Sequence, residues 1–213
     1  GRETGNDAYR EAYETIRKIV AKRHDAVYHQ QAIYEALMLG TEFSNIPETA
    51  GLLKALQNGK KKEISEATEQ LRNSSKKFFN KDYNPEVDRK VSRQLIALYA
   101  RLVPAEQRIS IFQLIDKKFQ GYTDAFVDAC FSQSVFSSPE ALERFLKKPD
   151  AETLANDLMV QYASSVKKGY QATSDAMKAE TNAYNRAHKT WVAGMLELKH
   201  KEKTTVYPDA NST

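Results

Sequence analysis

The side chains that could do chemistry are few and poorly placed for it. The sequence holds four histidines, His24, His29, His188 and His200, and one cysteine, Cys130. His24 and His29 are five residues apart. On a helix they would point about 140° apart and could not share a metal ion. His188 falls beside an apolar seam, which suits packing or a solvated seam edge better than ligation. Cys130, in DAFVDACFSQ, continues the apolar spacing of Phe126 and Val127 and reads as a small buried hydrophobe. A lone cysteine also rules out an internal disulfide. Nucleophilic hydrolases present serine or cysteine on a sharp, glycine-flanked turn, with histidine and carboxylate in reach. None of the 8 glycines brackets a serine in a G-x-S-x-G or G-x-S-G pattern, and none builds a phosphate-cradling loop. Asp124 and Asp128 sit four apart, as do Glu140 and Arg144. These are spacings of exposed helix faces, where pairs contribute a few tenths of a kcal/mol. No acid–base pair stands out. The expectation is no catalytic residue, no metal site and no cofactor in this chain, with substrate-binding residues that the sequence does not identify.

The aromatic residues carry more information. There are 11 tyrosines, 9 phenylalanines and one tryptophan, and most fall on helical stripes, where they read as core. Trp191 is assigned to a seam between two long helices. Asn73-Ser74-Ser75 and Asn211-Ser212-Thr213 match the glycosylation acceptor pattern.

The elements that would position these groups are helices. Asp7 can cap a helix in which Tyr9, Tyr13, Ile16, Val20, Val27, Tyr34 and Leu37 recur on one face. The stripe weakens at Arg23 and Gln30, which leaves room for a kink there. Unbroken, this helix would run to about Phe43, roughly 50 Å at 1.5 Å per residue, and would need a partner along its length. The partner is predicted at the other end of the chain. From Leu158 a stripe continues through Tyr162, Val166, Tyr170, Thr173, Met177, Tyr184, Trp191, Met195 and Leu198, with steps near three and four. No proline interrupts residues 150 to 207, and Gly169 is a mild weakness. Two such helices would form the legs of an antiparallel hairpin, bringing the termini together as in a domain inserted into another.

Shorter helices are punctuated between the legs. IPETAGLLKALQNG has Pro47 near its start and Gly59 after its end. The next helix puts Ile64, Leu71, Phe78 and Phe79 on one side. NPEVDRKVSRQLIALYARLVP has Asn84 as cap, Pro85 in the first helical position, and an apolar stripe at Val87, Val91, Leu95, Leu98 and Leu102. ISIFQLIDKKF and GYTDAFVDACF come after it. Ser138, Pro139 and Glu140 then open a helix that Pro149 stops. No stretch alternates long enough for a strand, except for the tail. The predicted class is all-α, with several shorter helices at the far end of the hairpin.

The 213 residues allow one well-buried core or two small ones. Charge is +4, with 32 basic and 28 acidic residues well mixed. The densest basic stretch, NGKKKEIS, reads as a solvated helix start, so a nucleic-acid partner is not expected. No apolar run approaches the ~18 residues of a membrane span. The first residues lack the apolar core of a signal peptide, so a signal is expected outside this chain or not at all.

The tail VYPDANST (Val206 to Thr213) resembles a phrase of the bacterial dipeptidyl-peptidase 7 and 11 family of serine peptidases. In that family it marks the return from a helical insert into a chymotrypsin-like double β-barrel, followed by an arginine and a YG element. Phe78 to Val91, FFNKDYNPEVDRKV, resembles the family's DYNPxxDxKV segment. Residues 131 to 158, the stretch FSQSVFSSPEALERFLKKPDAETLANDL, resemble a second family segment. Tyr34 to Phe43 and Tyr184 to Leu198 resemble the family's early helix and the helix before the tail. The matches cover roughly Tyr9 to Thr213.

The resemblance implies a parent enzyme that removes dipeptides from peptide N-termini with a His-Asp-Ser triad on the barrels. It implies a helical domain that caps the cleft and favours exopeptidase action, and a periplasmic or cell-surface location in Gram-negative bacteria. A homodimer of the parent fits the same reading. Residues 1–203 would be the helical insert and 204–213 the start of the return into the barrel. The triad, oxyanion donors, specificity pocket and an amine-holding asparagine would all lie outside these residues, and this fragment alone is expected to be inactive. The alternative is a stand-alone helical module that binds a partner helix.

Overall fold

The structure, a computed structural model, describes residues 7–80 and 82–201, apart from the side chains of residues 21, 23, 24 and 198–201. The tail phrase, the predicted return at 204–213 and the Asn211 acceptor lie outside the described residues. Among the described residues there is no strand, and the chain is all-α, as its patterning predicts.

Helix α1 spans Asp7–Ala32, with Asp7 in its first turn, where a carboxylate suits the helix dipole. The α-helix runs through Arg23 and Gln30. The break comes later, as a π-helical segment at Ile33–Leu39 and a 3₁₀ turn at Glu42–Asn45. One extra residue in the register rotates the later side chains by about 100°. Within the π-helical segment Ile33 and Leu37 are completely buried. Helices α2 (Ala50–Asn58), α3 (Lys61–Phe78) and α4 (Pro85–Leu102) come next, then α5 (Ile111–Phe119), α6 (Thr123–Gln133), α7 (Pro139–Lys147) and α8 (Ala151–Asn156). The last, α9, runs unbroken for 44 residues from Leu158 to Lys201.

Local chemistry accounts for several boundaries. Gly59 ends α2 at φ 71°, a left-handed conformation that favours glycine. Asn84 accepts from the N–H groups of Glu86 and Val87, with Pro85 in the first turn. Ser138 accepts from Ala141 N–H ahead of Pro139, and Asp150 accepts from Thr153 N–H to start α8. The lysines of NGKKKEIS open α3 in solvent, where Lys60 pairs with Glu63 and Lys62 with Glu66.

The N- and C-terminal helices pair with each other, as the sequence predicts. The chain divides into two compact units, one of residues 29–172 and one of residues 1–28 with 173–213. In the smaller unit, the start of α1 meets the end of α9. The Tyr9 ring lies where a Cβ on Gly194 would come within 2.5 Å of it, and its hydroxyl bonds Glu197. Ala12, Ala187 and Gly194 are the buried residues of this seam, whereas Tyr13, Val20 and Val27, predicted to pack along it, are exposed.

In the larger unit the end of the first leg meets the start of α9, where the Tyr34 and Tyr170 rings approach to 5.7 Å. A Cβ on Gly169 would lie 2.3 Å from Ile109 Cγ2, so the glycine admits the Ile109 side chain. The core gathers Ile33, Phe43, Tyr99, Phe126, Phe136, Met159 and Tyr162 among others, with Phe43 stacked on Tyr162 at 4.3 Å.

The buried face of α4 corrects one prediction. The Val87, Val91, Leu95, Leu98 and Leu102 stripe is not that face; Asp88, Ser92, Ile96 and Tyr99 are. The reason is that Asp88 is satisfied in the interior. Its carboxylate accepts from the N–H groups of Glu42 and Phe43 at 2.9 Å each, from Ser92 Oγ at 3.0 Å and from Tyr83 OH at 3.3 Å. A carboxylate with that many donors can be buried, and it turns α4 by one register position.

Candidate functional site

Pro47 and Glu48, between the 3₁₀ turn and α2, separate two hollows in the larger unit. The first is an open groove of about 590 Å³. Ile46, Leu53, Ile111, Leu114 and Val160 give it an apolar floor, and Lys168 stands at its edge. Lys167 Nζ reaches Glu48 Oε2 at 3.3 Å beside it. The second hollow, about 360 Å³, lies toward α3 and is lined by Asn45, Gln70, Ser74 and Lys77 among others.

Two buried carboxylates hold these walls. Asp88 fixes the 3₁₀ turn that leads into Pro47. Asp157, at the start of α9, accepts from Val135 N–H at 2.7 Å, Ser134 Oγ at 2.9 Å and Val160 N–H at 3.0 Å. Burial pushes both carboxyls above the usual aspartate value, while their donors pull the other way. Each carboxylate is enclosed by donors from its own fold, and neither lines either of these two hollows. On the groove wall, Ser165 Oγ accepts from Ile111 N–H at 2.8 Å and lies 3.0 Å from Ser110 Oγ. Among the described residues no histidine or carboxylate is bonded to that serine, and its bonds order the start of α5.

The residues singled out in the sequence are scattered. Cys130 is fully buried and burial pushes its thiol well up, so it is inert as expected. Tyr99 OH accepts Ile109 N–H at 3.3 Å and lies 3.1 Å from His29 Nε2. Burial lowers the His29 pKa and raises that of Tyr99 to about 12. His188 is exposed and stacks on Tyr184 at 5.8 Å, and Trp191, half-buried, lies 6.3 Å from it. The His24 and His200 side chains lie outside the described residues. Glu197 and His200 have the i, i+3 spacing of bundle di-metal ligands, but such sites need two pairs from facing helices. Among the described residues no group of three or more metal-ligating side chains is gathered. No described helix is long and apolar enough to cross a membrane.

Asp128 departs from the exposed-face expectation. It accepts from Arg89 Nε at 2.7 Å and from Arg93, tying α6 to α4, and Arg93 foremost holds its carboxyl below the usual range. The groove escapes a reading of the sequence because its lining comes from segments far apart in the chain. The only local signals are Pro47 before a short helix and the SSVKK run of α9.

The arrangement can bind through an apolar floor and charged rim, and it assembles no catalytic group among the described residues. Known proteins agree in kind. The Asp/Glu-specific dipeptidyl-peptidase of Porphyromonas gingivalis is 35% identical over 214 residues, which is 100% of this chain and 29% of that protein. Dipeptidyl-peptidase 7 of Phocaeicola vulgatus is 31% identical over 210 residues, 98% of this chain and 29% of its own length. The crystal structure of Porphyromonas endodontalis DPP11 in complex with the dipeptide Arg-Glu matches with TM-score 0.71 and 30% identity, over 100% of this chain and 30% of that one. The chain thus spans less than a third of each of these proteins. The signature of Peptidase S46 matches residues 2–213, and the chain belongs to that family.

Proposed function

We propose that this chain is the helical domain of a serine-type dipeptidyl peptidase that releases dipeptides from peptide N-termini. Residues 1–203 form the domain, and 204–213 begin the return into a chymotrypsin-like barrel. The domain covers the catalytic cleft, excludes water from it and blocks longer N-terminal extensions, which favours exopeptidase action. The parent works in the periplasm or at the cell surface, and peptides are its substrates.

The observation that carries this reading is a match over nearly the whole chain to less than a third of proteins named dipeptidyl peptidases. Relatives of both the Asp/Glu-specific and the type 7 kind match, so both acidic and hydrophobic residues next to the scissile bond belong in the test.

The parent protein, purified from its full reading frame, is expected to cleave dipeptidyl chromogenic substrates with a free amine and to spare their N-acetylated forms. Residues 1–213 alone are expected to show no hydrolysis above a buffer blank. Activity in the fragment, or none in the parent, would overturn the reading. The domain is expected to swing about residues 204–209; an unchanged orientation between peptide-free and peptide-bound crystals of the parent would refute that motion.

A further inference from the structure

The outer stripe of α4 is apolar and uncovered. Val87 is 54% exposed, Val91 41% and Leu102 47%, with Leu95 and Leu98 half-buried between them. Leu39, 64% exposed, adjoins the stripe, because its neighbour Gly40 sits where a Cβ would meet Leu95 Cδ1 at 2.3 Å. Among the described residues of the larger unit, six large apolar side chains are exposed, and four of them lie here. Single exposed apolar residues are ordinary, but a continuous stripe marks an interaction surface. Other helices of the unit do not repeat it. The outward side of α3, for example, carries the Lys60–Glu63 and Lys62–Glu66 pairs.

We infer that this stripe is the docking surface of the domain for the rest of its own polypeptide, the catalytic body that the relatives carry in the remaining two-thirds or more of their length. The inference rests on the reading of the chain as one domain of a longer peptidase. Two observations and one physical argument select this occupant. The relatives extend well beyond the matched region, as only 29% of the P. gingivalis protein is covered. A segment tethered to the domain acts at an effective concentration in the millimolar range, which a free partner seldom reaches. The stripe also has the make-up of an interface between domains of one chain, an apolar centre with a polar margin. Its open margin is formed by Lys90, Gln94 and Arg101, and neither cation has an ion-pair partner among the described residues.

That margin argues against a second copy of the same face. In an antiparallel two-fold helix pair, like flanks meet like flanks. Lys90 of one copy would face Arg101 of the other, and the cations would repel. The surface opposite the margin is therefore neutral or acidic, and belongs to a different part of the protein.

The test is hydroxyl-radical footprinting of the purified full-length protein, with Tyr122 of the same unit, 68% exposed, as internal reference. Corrected for intrinsic reactivity, the exposed Val87, Val91 and Leu102 are expected to label at least about fivefold more slowly than Tyr122. Labelling equal to that of Tyr122 would overturn the inference. Protection that disappears on dilution, in step with dimer dissociation in sedimentation, would assign the face to a second copy and overturn it too. Val87→Asp with Val91→Asp alters only exposed positions. In the full-length protein the pair is expected to raise labelling of Leu102 toward the Tyr122 level; unchanged protection would count against docking. Dipeptidyl hydrolysis measured on the same samples separates the two readings. Protection without hydrolysis would sink the enzymatic reading and keep the docking face. Hydrolysis without protection would do the reverse.

Discussion

The two units bury different things. In the smaller one, the buried residues along the hairpin seam are Ala12, Ala187 and Gly194. In the larger, whole aromatic side chains, Phe43, Tyr99, Phe126, Phe136 and Tyr162, are lost to solvent. Two helices alone can share only a narrow seam, and small residues there let the backbones approach closely. Several helices around one centre enclose volume, and aromatic residues fill it. A large apolar residue thus signals the core only where enough elements surround it. Val20, 58% exposed on the two-helix pair, shows the limit of that signal.

The sharpest break of this contrast would come from truncating one residue in each unit. Phe126→Ala is expected to cost about 3–5 kcal/mol. Val20→Ala should stay within about 0.5 kcal/mol. Equilibrium denaturation followed by circular dichroism measures both, and equal losses would erase the distinction.

Removing an internal acceptor should rank next. Asp157→Ala leaves Ser134 Oγ and the N–H groups of Val135 and Val160 without their partner. The expected loss is roughly 2–3 kcal/mol, read as a lower denaturant midpoint.

The same glycine substitution can be made on both parts of α9. Gly169→Ala drives a Cβ to 2.3 Å from Ile109 Cγ2 and 3.2 Å from Ile109 Cβ, inside the packed unit. Overpacking of about 1–3 kcal/mol should outweigh the gain of about 1 kcal/mol in helix propensity. Gly194→Ala meets the Tyr9 ring, which is only half-buried and can turn away. The larger drop in thermal midpoint is expected for Gly169→Ala; the reverse order would mean that the hairpin seam is the more rigid of the two.

Titration should show a further, smaller effect in the larger unit. The folded state holds His29 below its usual pKa of 6.5, so the unfolded chain binds the proton more readily. Stability is full above pH 6.5 and falls as pH drops below it toward the folded value. Tyr99 works in the other direction: its pKa is raised from 10.0 to about 12, so stability is lost as pH rises through that interval. His29→Gln should flatten the acidic slope and leave the alkaline one. The smallest effect is expected from Asp128→Asn, whose partners Arg89 and Arg93 are partly solvated. Its loss should shrink further in high salt.

Much of the fold is legible in the sequence because its causes are local. Asn84 with Pro85, Ser138 with Pro139, and Gly59 mark boundaries that their own backbone chemistry enforces. The 44 residues of α9 come from a stretch without proline. The illegible part depends on distant partners. Asp88 and Ser92 look like surface positions until the N–H groups of Glu42 and Phe43 arrive to satisfy them. The turn of α4, and with it the bare stripe, is a consequence of those bonds. The π-helical segment has no pattern of its own. The groove beside Pro47 joins residues from α2, α5 and α9, which no short window of sequence contains.

The burial of Cys130 has a practical side. With the one native sulfhydryl of this chain sealed in the interior and reluctant to ionise, thiol-directed dyes should pass it by. A cysteine introduced at Tyr122 would then be the sole point of attachment on this chain, giving a fluorescent or paramagnetic reporter a defined home from which to follow the domain at work.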